Sequence, residues 1–191
     1  MQLSSTLTKL LHQRGITGED EIAEFLSQKP RRTYDPSLLA DADAGVDFIL
    51  QEIEKGSRIC IYGDYDADGI TATSLMLHVL RYLVPPERVG YYIPSRFEEG
   101  YGLNREALGQ IAERGYQAVI TVDCGSVSAA EVAYAKELGL AILVTDHHTI
   151  TDRMADCLLV NPKRADSGYP FRELCGCGVA FKMAQLLQKR C

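Results

Sequence analysis

Arg58-Ile59-Cys60-Ile61-Tyr62-Gly63-Asp64-Tyr65-Asp66-Ala67-Asp68-Gly69-Ile70-Thr71 joins a short apolar run to a turn carrying three acidic residues. The run at 58–62 has the length and composition of a strand buried on both faces, and such strands belong to parallel sheets. A helical apolar period then resumes over 71–83. Working outward, strand-like runs recur at 89–93, 117–122, 140–144 and 157–160, with helical patterns at 105–114 and 128–138. Strands alternating with helices predict an α/β fold, a doubly wound parallel sheet of about five strands in the order 2-1-3-4-5. The link over 149–156 is too short for a full helical crossover, and a last helix is expected from about Val179.

Residues 1–43 read as a helical N-terminal extension, and 44–191 as the α/β domain. Leu7, Leu10 and Leu11 give a short apolar face, 18–26 suits a helix with an acidic first turn, and Pro30 and Pro36 interrupt the pattern. Over 44–55, Val46, Ile49, Leu50 and Ile53 share one helical face, which Gly56 stops. There is no internal repeat.

The hydrophobic share of 46% and charged share of 24% are those of an ordinary globular domain. No stretch approaches the roughly 20 apolar residues of a membrane span, and no signal peptide is legible, so a cytoplasmic location is expected. Cys60, Cys124 and Cys157 lie in or beside apolar runs and read as reduced core residues, while Cys175 and Cys177 lack zinc-ribbon spacing. The net charge of −6 argues against tight nucleic-acid binding by this chain alone. It leaves a nuclease open, because clustered carboxylates that hold metal ions invert the local field.

The polar residues fall at strand ends. The first strand runs into Asp64, Asp66 and Asp68, the third into Asp123, and the fourth into Asp146, His147 and His148. The carboxyl ends of parallel strands share one edge, where ligands bind. So many carboxylates at one rim repel each other unless a cation is present. Oxygen donors with imidazole and no thiolate favour Mn²⁺ or Mg²⁺. Two such ions, about 3.5–4 Å apart, can activate water and clamp a phosphoryl oxygen. Two other readings of 64–69 fit less well. An EF-hand loop needs an acidic twelfth position, where Leu75 stands, and a preceding helix. A phosphatase with an aspartyl nucleophile in an Asp-x-Asp-Gly motif needs no tandem histidine, and 66–71 has one residue too many before its Thr.

Residues 61–71 resemble the first motif of RecJ-type exonucleases. Thr121-Val122-Asp123-Cys124-Gly125 resembles the second, and Thr145-Asp146-His147-His148 resembles the signature of the DHH superfamily. Gly176-Cys177-Gly178-Val179-Ala180-Phe181-Lys182 is similar to the fourth, and 93–104 to a segment of RecJ proper. The resemblance implies a metal-dependent 5′-to-3′ exonuclease on single-stranded DNA, acting in repair and recombination with two Mn²⁺ or Mg²⁺ ions. By it, Asp66 and Asp68 bind the two ions, Asp123 bridges them, His147 completes one site and Asp64 ligates as well. Asp146 orients an imidazole and His148 contacts the scissile phosphate. Read without the family, His148 also suits helix capping or burial.

Arg96 could grip a phosphate bidentately, with a surface ion pair to Glu98 or Glu99 as the alternative. The amides at Gly176 and Gly178 could meet a phosphate or simply start a helix, and Tyr101 could stack on a base or pack. His12 and His78 read as structural. A further acidic motif, a second small domain and an OB-fold, expected from the resemblance, do not occur before Cys191. A truncated, weakly active or inactive chain is therefore expected, with any helicase or single-strand-binding partner reached through the later region. Two other functions compete: a DHH-type hydrolase of short oligonucleotides, cyclic dinucleotides or pyrophosphate, and a silent scaffold of the same fold.

Overall fold

The computed structural model describes residues 3–29, 33–100, 102–151 and 153–191; Pro30 and Tyr101 lie outside them. The chain divides into two compact units, Met1–Tyr34 and Asp35–Cys191. In the first, α1 (Ser5–Gln13) is capped by the Ser4 hydroxyl, which accepts from the Leu7 N–H. In the same unit, α2 (Glu19–Phe25) opens with Glu19, Asp20 and Glu21, and the Glu21 carboxylate accepts from the Gly18 N–H at 3.2 Å.

The second unit carries α3 (Ala42–Glu54), β1 (Ile59–Gly63), α4 (Ala67–Leu83), β2 (Val89–Tyr92), α5 (Arg105–Glu113) and β3 (Ala118–Val122). It continues through α6 (Ala129–Glu137), β4 (Ala141–Thr145), β5 (Leu158–Val160) and α7 (Gly176–Arg190). The five strands form one parallel sheet in the order β2-β1-β3-β4-β5, as the pattern of runs predicts. No helix spans 149–156 among the described residues.

Both faces of the sheet are covered. Cys60, Tyr62, Val119, Val144 and Leu159 join Ala107, Leu108 and Ile111 of α5 and Val132 and Ala135 of α6 in one core. On the other face α3, α4 and α7 pack together. There a Cβ at Gly45 would lie only 3.1 Å from Met183 and 3.2 Å from Leu143, so a small residue lets α3 settle on the sheet. Ile61, Ile120 and Leu143 are fully buried, each worth about 1.5–3 kcal/mol over an exposed position.

Two helices begin earlier than their apolar periods suggest. Asp66 Oδ1 accepts from the Asp68 and Gly69 N–H groups, both at 2.9 Å, and so starts α4 at Ala67 instead of 71. Cys175 Sγ accepts from the Gly178 N–H at 3.3 Å, and α7 starts at Gly176 instead of 179. Capping side chains, which carry no apolar signal, set both boundaries. Among the described residues no helix is long and apolar enough to cross a membrane.

Candidate metal centre

Pairing registers Gly63 with Val122, Val122 with Thr145 and Thr145 with Val160, so the carboxyl ends of β1, β3, β4 and β5 lie in one row. The loops that leave this row carry the chemistry.

After β1 the chain turns tightly under α4. A Cβ at Gly63 would stand 1.9 Å from Thr73 Oγ1, and one at Gly69 would stand 2.5 Å from the Asp64 carbonyl oxygen. These contacts bury Asp64, leave Asp66 exposed at the helix cap and set Asp68 in the first turn. After β3, Asp123 adopts left-handed backbone (φ 63°), unusual for a residue with a side chain, and is 1% exposed. Neither Asp123 carboxylate oxygen has a hydrogen-bond partner among the described residues, nor does Asp64 Oδ1.

After β4, Asp146 organises both histidines. Its Oδ1 accepts from the His147 N–H at 2.6 Å, from the His148 N–H at 3.1 Å and from His148 Nδ1 at 2.7 Å, while Oδ2 accepts from the Ser126 N–H at 2.9 Å. A neutral ring held this way carries its lone pair on Nε2. His147 Nε2 lies 3.1 Å from Asp123 Oδ1, without hydrogen-bond geometry, and 3.5 Å from Asp68 Oδ2.

Potential ligand atoms gather within 4.8 Å in two trios: Asp64, Asp66 and Asp123; and Asp123, His147 and His148. Asp123 belongs to both. Asp68 belongs to neither. Its Oδ2 accepts from the Gly176 N–H at 2.6 Å and its Oδ1 from the Cys177 N–H at 2.8 Å. Of the two readings of the Gly176 and Gly178 amides, phosphate contact or a plain helix start, the structure shows the helix start: this terminus holds the chain's own carboxylate, and the Gly178 N–H goes to Cys175 Sγ. The physical reason is that α4 and α7 pack together, which brings Asp68 to the positive end of α7.

Arg96 is exposed and lies over the Tyr65 ring, 5.6 Å from its centroid. Glu99 is engaged by the Tyr92 hydroxyl and the Ser95 N–H, both at 2.6 Å. His12 and His78 are exposed on their helices, and all six cysteines are free thiols, with Cys60 and Cys124 buried. A separate apolar cavity of about 610 Å³ lies between the later turns of α4 and α7, against Leu75, Tyr82 and Phe181, and touches none of the rim carboxylates.

Two participants escape a reading by residue type. Asn161, fully buried just past β5, donates through Nδ2 to Ser126 Oγ at 2.8 Å and to the His148 carbonyl at 3.0 Å. Ser126 in turn presents its amide to Asp146. Their signal is position alone: Asn161 follows a strand end, as each of the acidic residues does.

The electrostatics of the rim are those of a site short of positive charge. Burial, then the neighbouring Asp68 and Asp66 carboxylates, push Asp123 up to about 8. Burial likewise raises Asp64. Burial alone would raise Asp146 too, but hydrogen bonds from His148 and Ser126 outweigh it and hold this carboxyl at about 2. The bond to Asp146 raises His148, whereas burial and the adjacent His148 lower His147. Orphaned buried carboxylate oxygens beside an imidazole nitrogen are the donor set of a hard or borderline divalent cation.

Residues 58–191 match the model of the DHH family, N-terminal domain. The single-stranded-DNA-specific exonuclease RecJ of Bacillus subtilis is 43% identical over 98% of this chain and 24% of its own length. RecJ of Escherichia coli is 35% identical over 98% of this chain and 32% of its own. The crystal structure of an exonuclease RecJ bound to manganese superposes with a TM-score of 0.71 at 34% identity, covering 80% of this chain and 38% of that one. The complex of RecJ with Mn²⁺ from Thermus thermophilus gives 0.68 at 28% identity, over 94% and 24%. The chain thus spans a quarter to a third of the length of these curated relatives.

Proposed function

The chain belongs to the DHH family, and on that footing we propose that it carries the metal-dependent catalytic site of an exonuclease that degrades single-stranded DNA from the 5′ end. The observation that carries this reading is Asp123, buried, without a hydrogen-bond partner at either oxygen among the described residues, and common to the two ligand trios. A carboxylate so placed is suited to bridge two cations. The relatives' names supply the substrate, and the manganese-bound relative supports the choice of ion.

In this reading Asp64, Asp66, Asp68, Asp123 and His147 hold two divalent ions, Mn²⁺ or Mg²⁺. Bound there, such ions supply an activated water and neutralise charge on the phosphate. The chain's own residues do the rest. His148, fixed through Nδ1 by Asp146 in a bond that favours its protonated form, offers its Nε2–H to the scissile phosphate as a donor. Arg96, held over Tyr65 on the exposed side of the rim, suits the terminal 5′-phosphate or the backbone of the strand. Cytoplasmic DNA repair and recombination are the setting in which such an activity serves.

The test is Mn²⁺-dependent hydrolysis, by the chain extended to the length of its curated relatives, of 5′-phosphorylated single strands, blunt duplex, a cyclic dinucleotide and pyrophosphate, with Asp66→Ala alongside. Loss of single strands only, absent from the variant, is the expected result. Hydrolysis of the small substrates alone would move the function to that branch of the family.

A further inference from the structure

We propose that the first two residues of α7, Gly176 and Cys177, are positioning residues of the metal centre and set its affinity without ligating. The proposal rests on the two-ion reading above. The first amides of a helix have no partner within it and sit at its positive end. Here two of them close on both oxygens of one carboxylate, at 2.6 and 2.8 Å, across 108 and 109 residues of sequence. A carboxylate offers about four lone-pair directions. The amides take two, so Asp68 can be held in orientation and still face a cation.

Gly176 acts a second time, through the side chain it lacks. A Cβ there would lie 2.4 Å from Asp123 Oδ1 and 2.6 Å from both Cβ and Cγ of Asp123. Asp123 is buried on left-handed backbone and has no room to retreat. A methyl group at 176 must therefore displace the shared carboxylate. Gly178, two residues on, differs: a Cβ there meets the Leu174 side chain, at 3.2 Å to its Cδ2 and 3.6 Å to its Cβ, and Cys175 Sγ at 3.7 Å, and none of the rim carboxylates. One turn of helix thus provides both the test position and its control.

The experiment compares Mn²⁺ affinity, read from the free-ion EPR signal, for wild type, Gly176→Ala, Cys177→Pro and Gly178→Ala. Unfolding with EDTA is followed in parallel. Proline is tolerated in the first turn of a helix and removes the Cys177 N–H that Asp68 uses, and glycine at 176 best accommodates the restriction that proline places on the residue before it. Gly176→Ala and Cys177→Pro should weaken Mn²⁺ about 10- to 100-fold, the range for residues that orient ligands, and Gly178→Ala should leave it unchanged. Wild-type affinity in the first two variants, with wild-type melting, overturns the proposal.

Should those variants fail to fold, hydrogen exchange of wild type loaded with Mg²⁺ decides. Protected Gly176 and Cys177 amides support the clamp, and rapid exchange at both removes it. If wild type binds no cation, the two-ion reading falls and this proposal with it. If wild type binds and the variants match it, only this proposal falls.

Discussion

Asp146 and His148 are two residues apart and joined twice: one carboxylate oxygen accepts from both the backbone N–H and ring Nδ1 of His148, at 3.1 and 2.7 Å. The pair fixes a tautomer as well as an orientation. Asp146→Asn leaves the shape and weakens that control. Single-strand hydrolysis should fall about 100-fold or more in kcat, as for loss of general acid help. Mn²⁺ affinity, measured separately, should change far less; equal losses in both would mean that Asp146 serves the ions.

Asn161 ties Ser126 to the His148 backbone from inside the protein, with no exposure to water. Asn161→Ala strips a partner from the buried Ser126 hydroxyl, which costs about 1–3 kcal/mol when left unsatisfied, and from the partly buried His148 carbonyl. For a chain of this size 1 kcal/mol moves Tm by roughly 2–4 °C. A drop of several degrees is therefore expected by scanning calorimetry, and an unchanged Tm would show that water replaces the side chain.

Without metal, stability should fall as pH rises through neutrality. Asp123 titrates near 8 in the folded chain, against an ordinary value of 3.8, so between these limits the folded state keeps a proton that the unfolded state has lost. The raised Asp64 and His148 act in the same direction, the lowered His147 against it. Asp146, held near 2, favours folding above the ordinary carboxylate range and loses its effect only in strong acid. In EDTA the Tm should be higher at pH 6 than at pH 8.5, and Asp123→Asn should remove most of that difference. A Tm that rises with pH would contradict the account.

Gly69 is closed in by backbone: an added Cβ would meet the Asp64 carbonyl carbon and Cα at 2.7 Å. Backbone does not yield as a side chain does, so Gly69→Ala should cost about 1–3 kcal/mol of stability. It should also loosen Mn²⁺ binding, because Asp64 and Asp66 lie on the displaced loop. Denaturant unfolding and a Mn²⁺ titration check the two halves separately.

What was legible in the sequence follows from the physics of each signal. The strands were, because a parallel strand buried on both faces reads as an unbroken apolar run, as Ile59–Gly63 and Ala118–Val122 do. From those runs came the strand order, and with it the gathering of Asp64, Asp66, Asp123, His147 and His148. The starts of α4 and α7 were hidden, since Asp66 and Cys175 cap with side chains that also suit loops. The bond from Gly176 to Asp68 was hidden for a deeper reason: it depends on α4 and α7 lying side by side, which no local pattern encodes. Asn161 stood out only by following a strand end, and its bonds were hidden for the same reason, the partners lying 35 and 13 residues away.

On this reading Asp123 is the carboxylate shared by a divalent-cation centre. Its most direct test is anomalous diffraction from crystals of the chain equilibrated with Mn²⁺. Manganese peaks should lie against the Asp123 carboxylate, extend toward Asp64 and Asp66 on one side and His147 on the other, and be gone in Asp123→Asn. Saturating Mn²⁺ that leaves no peak at Asp123, or binds only elsewhere on the surface, would contradict it.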